Sequence, residues 1–99
     1  MTIQDYIKKH GLVLWRKYPV AANLNAPWTQ TFFIDQKIDG KDVPFPHGEQ
    51  FEIFSNAEKT RFVSMNITRG LFRIVHCEMV VIISEWQPSQ MNFSTQAIP

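Results

Sequence analysis

The residues that could do chemistry are few and scattered. His10, His47, His76 and Cys77 are the only nitrogen and sulfur donors suited to a metal such as zinc. Structural zinc sites gather close ligand pairs, Cys-x-x-Cys above all. Here only His76 and Cys77 are neighbours, and on a strand adjacent side chains point to opposite faces. No metal and no cofactor is expected. Cys77 is also the only thiol, and a nucleophilic thiolate needs an exposed, electropositive setting. Cys77 lies in the most apolar stretch of the chain, where a packed thiol is the expectation. Glu49 and Glu52 would face opposite ways on a strand, while Asp35, Asp39 and Asp42 surround a turn and face water. General acid–base work needs a carboxyl raised in pKa by an apolar pocket, which neither group suggests. Asp35 and Asp39–Gly40 share spacing with a calcium loop, but Lys37 and Pro46 stand where ligands are required. With 4 glycines, none clustered, there is neither a nucleophile elbow nor a phosphate-binding loop. The chain is therefore expected not to be an enzyme. A small enzyme using Cys77 and a histidine stands as the last alternative.

Two binding chemistries have more residues behind them. Trp28 and Phe45 sit beside Pro27, Pro44 and Pro46, and Trp15 is near them in kind. Aromatic side chains on a stiff loop lose little entropy when they bury, so they make good anchors for another protein. The first expectation is a non-catalytic protein-binding module, an adaptor or inhibitor, using Trp28, Phe45 and Trp15. The alternative is single-stranded nucleic acid, because basic residues interleave with aromatics at Trp15–Arg16–Lys17–Tyr18, Arg61–Phe62 and Phe72–Arg73. Stacking rings and phosphate-binding cations are what such a ligand requires, and Arg16, Lys17, Arg61, Arg69 and Arg73 would supply the charge. The opening Arg69–Gly70 of an RNA-recognition motif is present, but Arg73 stands where an aromatic is wanted.

Composition limits these choices. The net charge is +1, so no strong overall field draws in nucleic acid or an anionic membrane. With 44% hydrophobic residues in 99, a single packed core is affordable in one domain. One cysteine excludes an intramolecular disulfide, and a reducing, cytoplasmic location is expected. The polar N-terminus does not suit a signal peptide, and no apolar run approaches the ~20 residues of a membrane helix.

The elements that must position these residues can be read along the chain. Residues 2–10 predict a short helix: Thr2 caps it, Asp5 complements its positive end, and Gly11 stops it. About nine residues cannot hold a helix alone in water, so Ile3, Tyr6 and Ile7 must dock on something. Residues 12–18 alternate as a first strand, ended by Pro19. Residues 29–38 and 41–43 read as strands joined at Asp39–Gly40, a tight-turn signal. Residues 50–54 read as another short strand. Ser55 to Glu58 has the form of a capping box, yet residues 61–68 alternate as a strand, so a turn and then a strand is expected. Arg69–Gly70 would join that strand to the next. Residues 71–86 are expected to be extended, with Met79, Val80, Val81, Ile82 and Ile83 central in the sheet and covered on both faces.

Together these give an α+β fold: a short N-terminal helix packed on an antiparallel sheet of about five strands, with curling toward a barrel left open. Residues 1–88 would form the single globular domain and residues 89–99 a loosely ordered tail. An exposed edge strand would also allow a homodimer.

Overall fold

The structure, a computed structural model, describes residues 1–18, 37–38, 41–42 and 48–94. Helix α1 (Ile3–Lys9) begins with a complete capping box. The Thr2 hydroxyl accepts from the Asp5 N–H at 3.2 Å, and the Asp5 carboxylate accepts from the Thr2 N–H at 3.1 Å. This pairing holds the Asp5 carboxyl below its usual range. The helix ends as the sequence predicts. Gly11 takes a left-handed φ of 63°, the Leu12 N–H reaches back to the Ile7 carbonyl, and the Gly11 N–H reaches the Lys8 carbonyl. That is the Schellman arrangement, which satisfies the last carbonyls and turns the chain into the first strand.

The main sheet has six antiparallel strands: β1 (Val13–Tyr18), β4 (Phe51–Ser55), β5 (Arg61–Asn66), β6 (Leu71–Cys77), β7 (Val81–Ile83) and β8 (Gln87–Pro88). The order is β1-β4-β5-β6-β7, with β8 also beside β6. β1 and β7 lie at opposite ends, so the sheet is open and not closed into a barrel. Strands β2 (Lys37–Ile38) and β3 (Lys41–Asp42) form a separate antiparallel pair. Its register, Lys37↔Asp42 and Ile38↔Lys41, agrees with a hairpin at Asp39–Gly40; the turn residues themselves lie outside the described residues. So do the rest of the strand expected over residues 29–38 and Val43.

Side-chain alternation divides the sheet into two apolar faces. On one face α1 lays Ile3 and Tyr6 against Val63, Phe72 and Ile74, with Leu12 closing the cluster. Phe93 extends it, its ring centroid 5.1 Å from Phe72 and 6.0 Å from Tyr6. Residues 89–94 are thus docked by one aromatic, and the Phe93 N–H donates to the Met1 carbonyl. On the other face Phe51, Ile53, Phe62, Val75 and Trp86 are buried together, with Trp15 against them.

Two turns fix the register. Between β4 and β5 the Asn56 side-chain oxygen accepts from the Thr60 and Arg61 N–H groups, and its amide donates to the Thr60 hydroxyl. These bonds close a turn, with Lys59 at a φ of 59°, where the Ser55 to Glu58 pattern alone could have opened a helix. Between β5 and β6 the buried Asn66 accepts from the Arg69 N–H, and Gly70 takes a left-handed φ of 66°.

The expectation for residues 79–83 needs correction. The centre of the sheet is β6, whose Phe72, Ile74 and Val75 have no solvent exposure. The chain turns after Cys77, and β7 returns along β6 at the end of the sheet. Met79 and Val80 fall in that turn and are 99% and 65% exposed. A stretch as long as residues 71–86 exceeds the ~10 residues of a long strand, so it must reverse. Its second half is left at the rim.

Candidate partner-binding edge

Among the described residues, β7 is the feature least like an ordinary protein surface. Val81, Ile82 and Ile83 are 61%, 41% and 43% exposed, continuing the bare apolar run from Met79 and Val80. Larger contiguous exposed apolar patches mark sites that meet something else.

The hydrogen-bond parity of the sheet shows which backbone groups this edge offers. The Cys77 N–H donates to the Thr60 carbonyl, so Cys77 points its main-chain groups away from β7. The Ser84 N–H donates to the Ile74 carbonyl, so Ile74 and Ser84 point toward each other. Antiparallel strands alternate hydrogen-bonded and non-hydrogen-bonded pairs. With the register Cys77↔Val81, His76↔Ile82 and Val75↔Ile83, the groups of Ile82 are spent on β6. Those of Val81 and Ile83 point outward. Among the described residues no strand takes them.

The same parity assigns side chains. Ile82 shares the helix-bearing face with His76, while Val81 and Ile83 share the opposite face with Cys77 and Val75. Edge strands are commonly guarded by charges, prolines or bulges. β1 has a bulge between Leu14 and Arg16 and carries Arg16 and Lys17; β8 carries Pro88. β7 has none of these, and its nearest charges are Glu78 and Glu85.

The other residues named from sequence are placed as follows. Trp15 occupies the β1 bulge, half-buried, 5.6 Å from the Phe62 ring. The Arg16 guanidinium lies 4.7 Å and the Lys59 ammonium 5.5 Å from its ring centre. Trp28, Phe45 and His47 lie outside the described residues, as do Asp35 and Asp39. Lys17 is 3.9 Å from Glu52. Arg61 donates to the Tyr6 hydroxyl under α1. Arg69 donates to Glu49 at 2.6 Å in the β5–β6 turn, and Asn66 donates to the same carboxylate at 2.9 Å. Both bonds lower the Glu49 pKa, that of Arg69 more. Arg73 is buried on the far face, its guanidinium 4.9 Å from the Trp86 ring centre. The five basic residues are therefore spread over both faces of the sheet, on β1, β5, the β5–β6 turn and β6.

The chemistry-bearing residues do not converge either. His76 Nε2 is 3.3 Å from Glu78 Oε1, close enough for an ion pair but not aligned as a hydrogen bond. Cys77 faces away from His76, and burial raises its thiol pKa. His10 packs at a tilt against Tyr6 with ring centres 4.4 Å apart, and burial, then Arg61 and Lys9, disfavour its protonation. Among the described residues no three metal-binding side chains gather, and no helix is long and apolar enough to cross a membrane.

No protein family, curated protein or solved structure matched this chain in comparison.

Sequence reasoning missed the β7 edge because an apolar run reads as core. The available signals were Glu78, which interrupts the run where the chain turns, and the excess length of residues 71–86 for one strand.

Proposed function

We propose that this chain is a non-catalytic protein-binding module, an adaptor or inhibitor, that takes a strand from another polypeptide onto the edge of β7. One observation carries this reading: residues 79–83 are apolar, exposed and unguarded, beside outward main-chain groups at Val81 and Ile83. Strand addition draws affinity from such groups and specificity from the alternating side chains. Trp15, Trp28 and Phe45 are retained as secondary anchors, on sequence grounds. The single-stranded nucleic-acid reading has less support, because Arg69 and Lys17 are engaged with carboxylates and Arg73 is buried. An enzyme built on Cys77 has less again, since His76 lies on the opposite face of β6.

The test is affinity capture with the intact chain from its native cell extract, run with and without nuclease. Ile82→Lys, Trp28→Ala and Phe45→Ala are compared with wild type. Polypeptide that survives nuclease and is lost with Ile82→Lys is the expected result. Capture abolished by nuclease, or unchanged in Ile82→Lys, would reject the reading.

A further inference from the structure

The edge of β7 has the pattern of a surface that fits itself. We infer that it pairs antiparallel with the same edge of a second copy of this chain, about a two-fold axis through Ile82. This rests on the strand-addition reading above and names the partner.

Register decides the axis. Within β7, Val81 and Ile83 send main-chain groups outward, so a two-fold that satisfies both inside the strand must place those residues opposite one another. An axis at Val81 or at Ile83 pairs one of them with itself and sends the other to Met79 or Glu85. An axis at Ile82 sets Val81 against Ile83 of the second copy, and Ile83 against its Val81. Each such pair exchanges both its hydrogen bonds, so every outward N–H and carbonyl of β7 is satisfied. An isologous contact requires this reciprocity.

The side chains agree. Ile82 meets its own counterpart on the helix-bearing face, while Val81 and Ile83 meet on the other. These are β-branched pairs, which favour cross-strand packing. Glu78 falls opposite Trp86 and Glu85 opposite Met79, so no acid faces an acid across the axis. No charge in residues 79–84 selects a different strand, and none repels an identical one.

The other edges explain why assembly stops at two copies. Head-to-tail stacking would join β7 to β1 of the next molecule and would not close. The bulge at Trp15 and the charges of Arg16 and Lys17 oppose that contact. Pro88 ends the open edge beyond β7, since proline offers no N–H. The contact is short, so the dimer is weak, with a dissociation constant of about 10 µM to 1 mM.

Sedimentation of the intact wild-type chain over a concentration series tests the inference. The expected result is a reversible monomer–dimer equilibrium with no larger species, weakened at least about tenfold by Ile82→Lys. A protein monomeric up to about 1 mM, or one that grows without limit, would overturn it. The register has its own test in a Cys77→Ala background. Facing residues of a non-hydrogen-bonded pair have Cα atoms about 4.5 Å apart, within disulfide reach. Oxidised Ile82→Cys should form a linked dimer faster than Met79→Cys, although Met79 is 99% exposed. Equal or reversed rates would reject the axis at Ile82. If the chain stays monomeric but Ile82→Lys still abolishes capture of a different polypeptide, the second copy is the wrong partner while strand addition stands. If capture is also indifferent to Ile82→Lys, both fail.

Discussion

Ile74 and Ile82 allow one substitution to be compared in two settings. Ile74 is on β6 with no solvent exposure, packed with Ile3, Tyr6 and Phe72. Ile82 is on the neighbouring β7 and 41% exposed. Isoleucine to alanine removes three carbons, worth about 2.4 kcal/mol if all were buried, at ~0.8 kcal/mol each. At Ile74 the full transfer loss applies. A cavity term is added because the sheet and α1 cannot collapse onto the gap, giving a total of about 3–4 kcal/mol. At Ile82 roughly three-fifths of the transfer loss applies, water fills the space, and the cost is about 1–1.5 kcal/mol. For a domain of this size that separates the variants by roughly 10–20 °C in Tm. Both can be measured by thermal and urea unfolding of dilute protein, where self-association contributes nothing. Equal losses, or a larger loss at Ile82, would refute the placement of β7 at the rim and restore the reading of residues 79–83 as core.

Further predictions follow from the turns and the titrating groups. Asn56→Ala removes the bonds to Thr60 and Arg61 and should cost about 2 kcal/mol by urea unfolding, whereas Ala57→Ser should be nearly silent. Glu49 has its carboxyl pKa lowered by Arg69, with Asn66 adding to the effect. Its stabilisation is therefore present above the ordinary glutamate pKa and lost as pH falls through that value toward the lower folded one. Glu49→Gln should cost about 1–2 kcal/mol at neutral pH, allowing for the partial exposure of Arg69, and the difference from wild type should shrink in urea titrations at about pH 3. Burial raises the Cys77 thiol pKa, so the folded chain should react with a thiol reagent more slowly at neutral pH than the urea-unfolded chain. Equal rates would contradict the packing of Cys77 against the apolar cluster on that face of the sheet.

Local features with a single physical cause were legible in the sequence. Thr2, Asp5 and Gly11 mark both ends of α1 because orphan main-chain groups there have few other partners. The alternation of Phe62, Val63, Ser64, Met65 and Asn66 carries through β5 unchanged, since both its neighbours are regular strands. In β1 the simple alternation fails at Trp15, where the bulge inserts an extra residue that no composition rule announces. Residues 55–58 could cap a helix or close a turn, and the choice fell to Asn56, whose side chain satisfies the turn from within. The candidate site was the least legible part. Val80, Val81, Ile82 and Ile83 have the composition of a buried strand, and only the reversal after Cys77 puts them at an edge. Long-range topology, not local preference, decides that position.

Amide hydrogen exchange, read residue by residue at low and high protein concentration, tests the open edge and its partner together. In dilute protein the Ile82 and Ser84 amides should be protected by β6 while those of Val81 and Ile83 exchange freely. At high concentration Val81 and Ile83 should gain protection together, and Ile82→Lys should abolish that gain. Protection of Val81 and Ile83 in dilute protein, or exchange there that ignores concentration, would contradict the account.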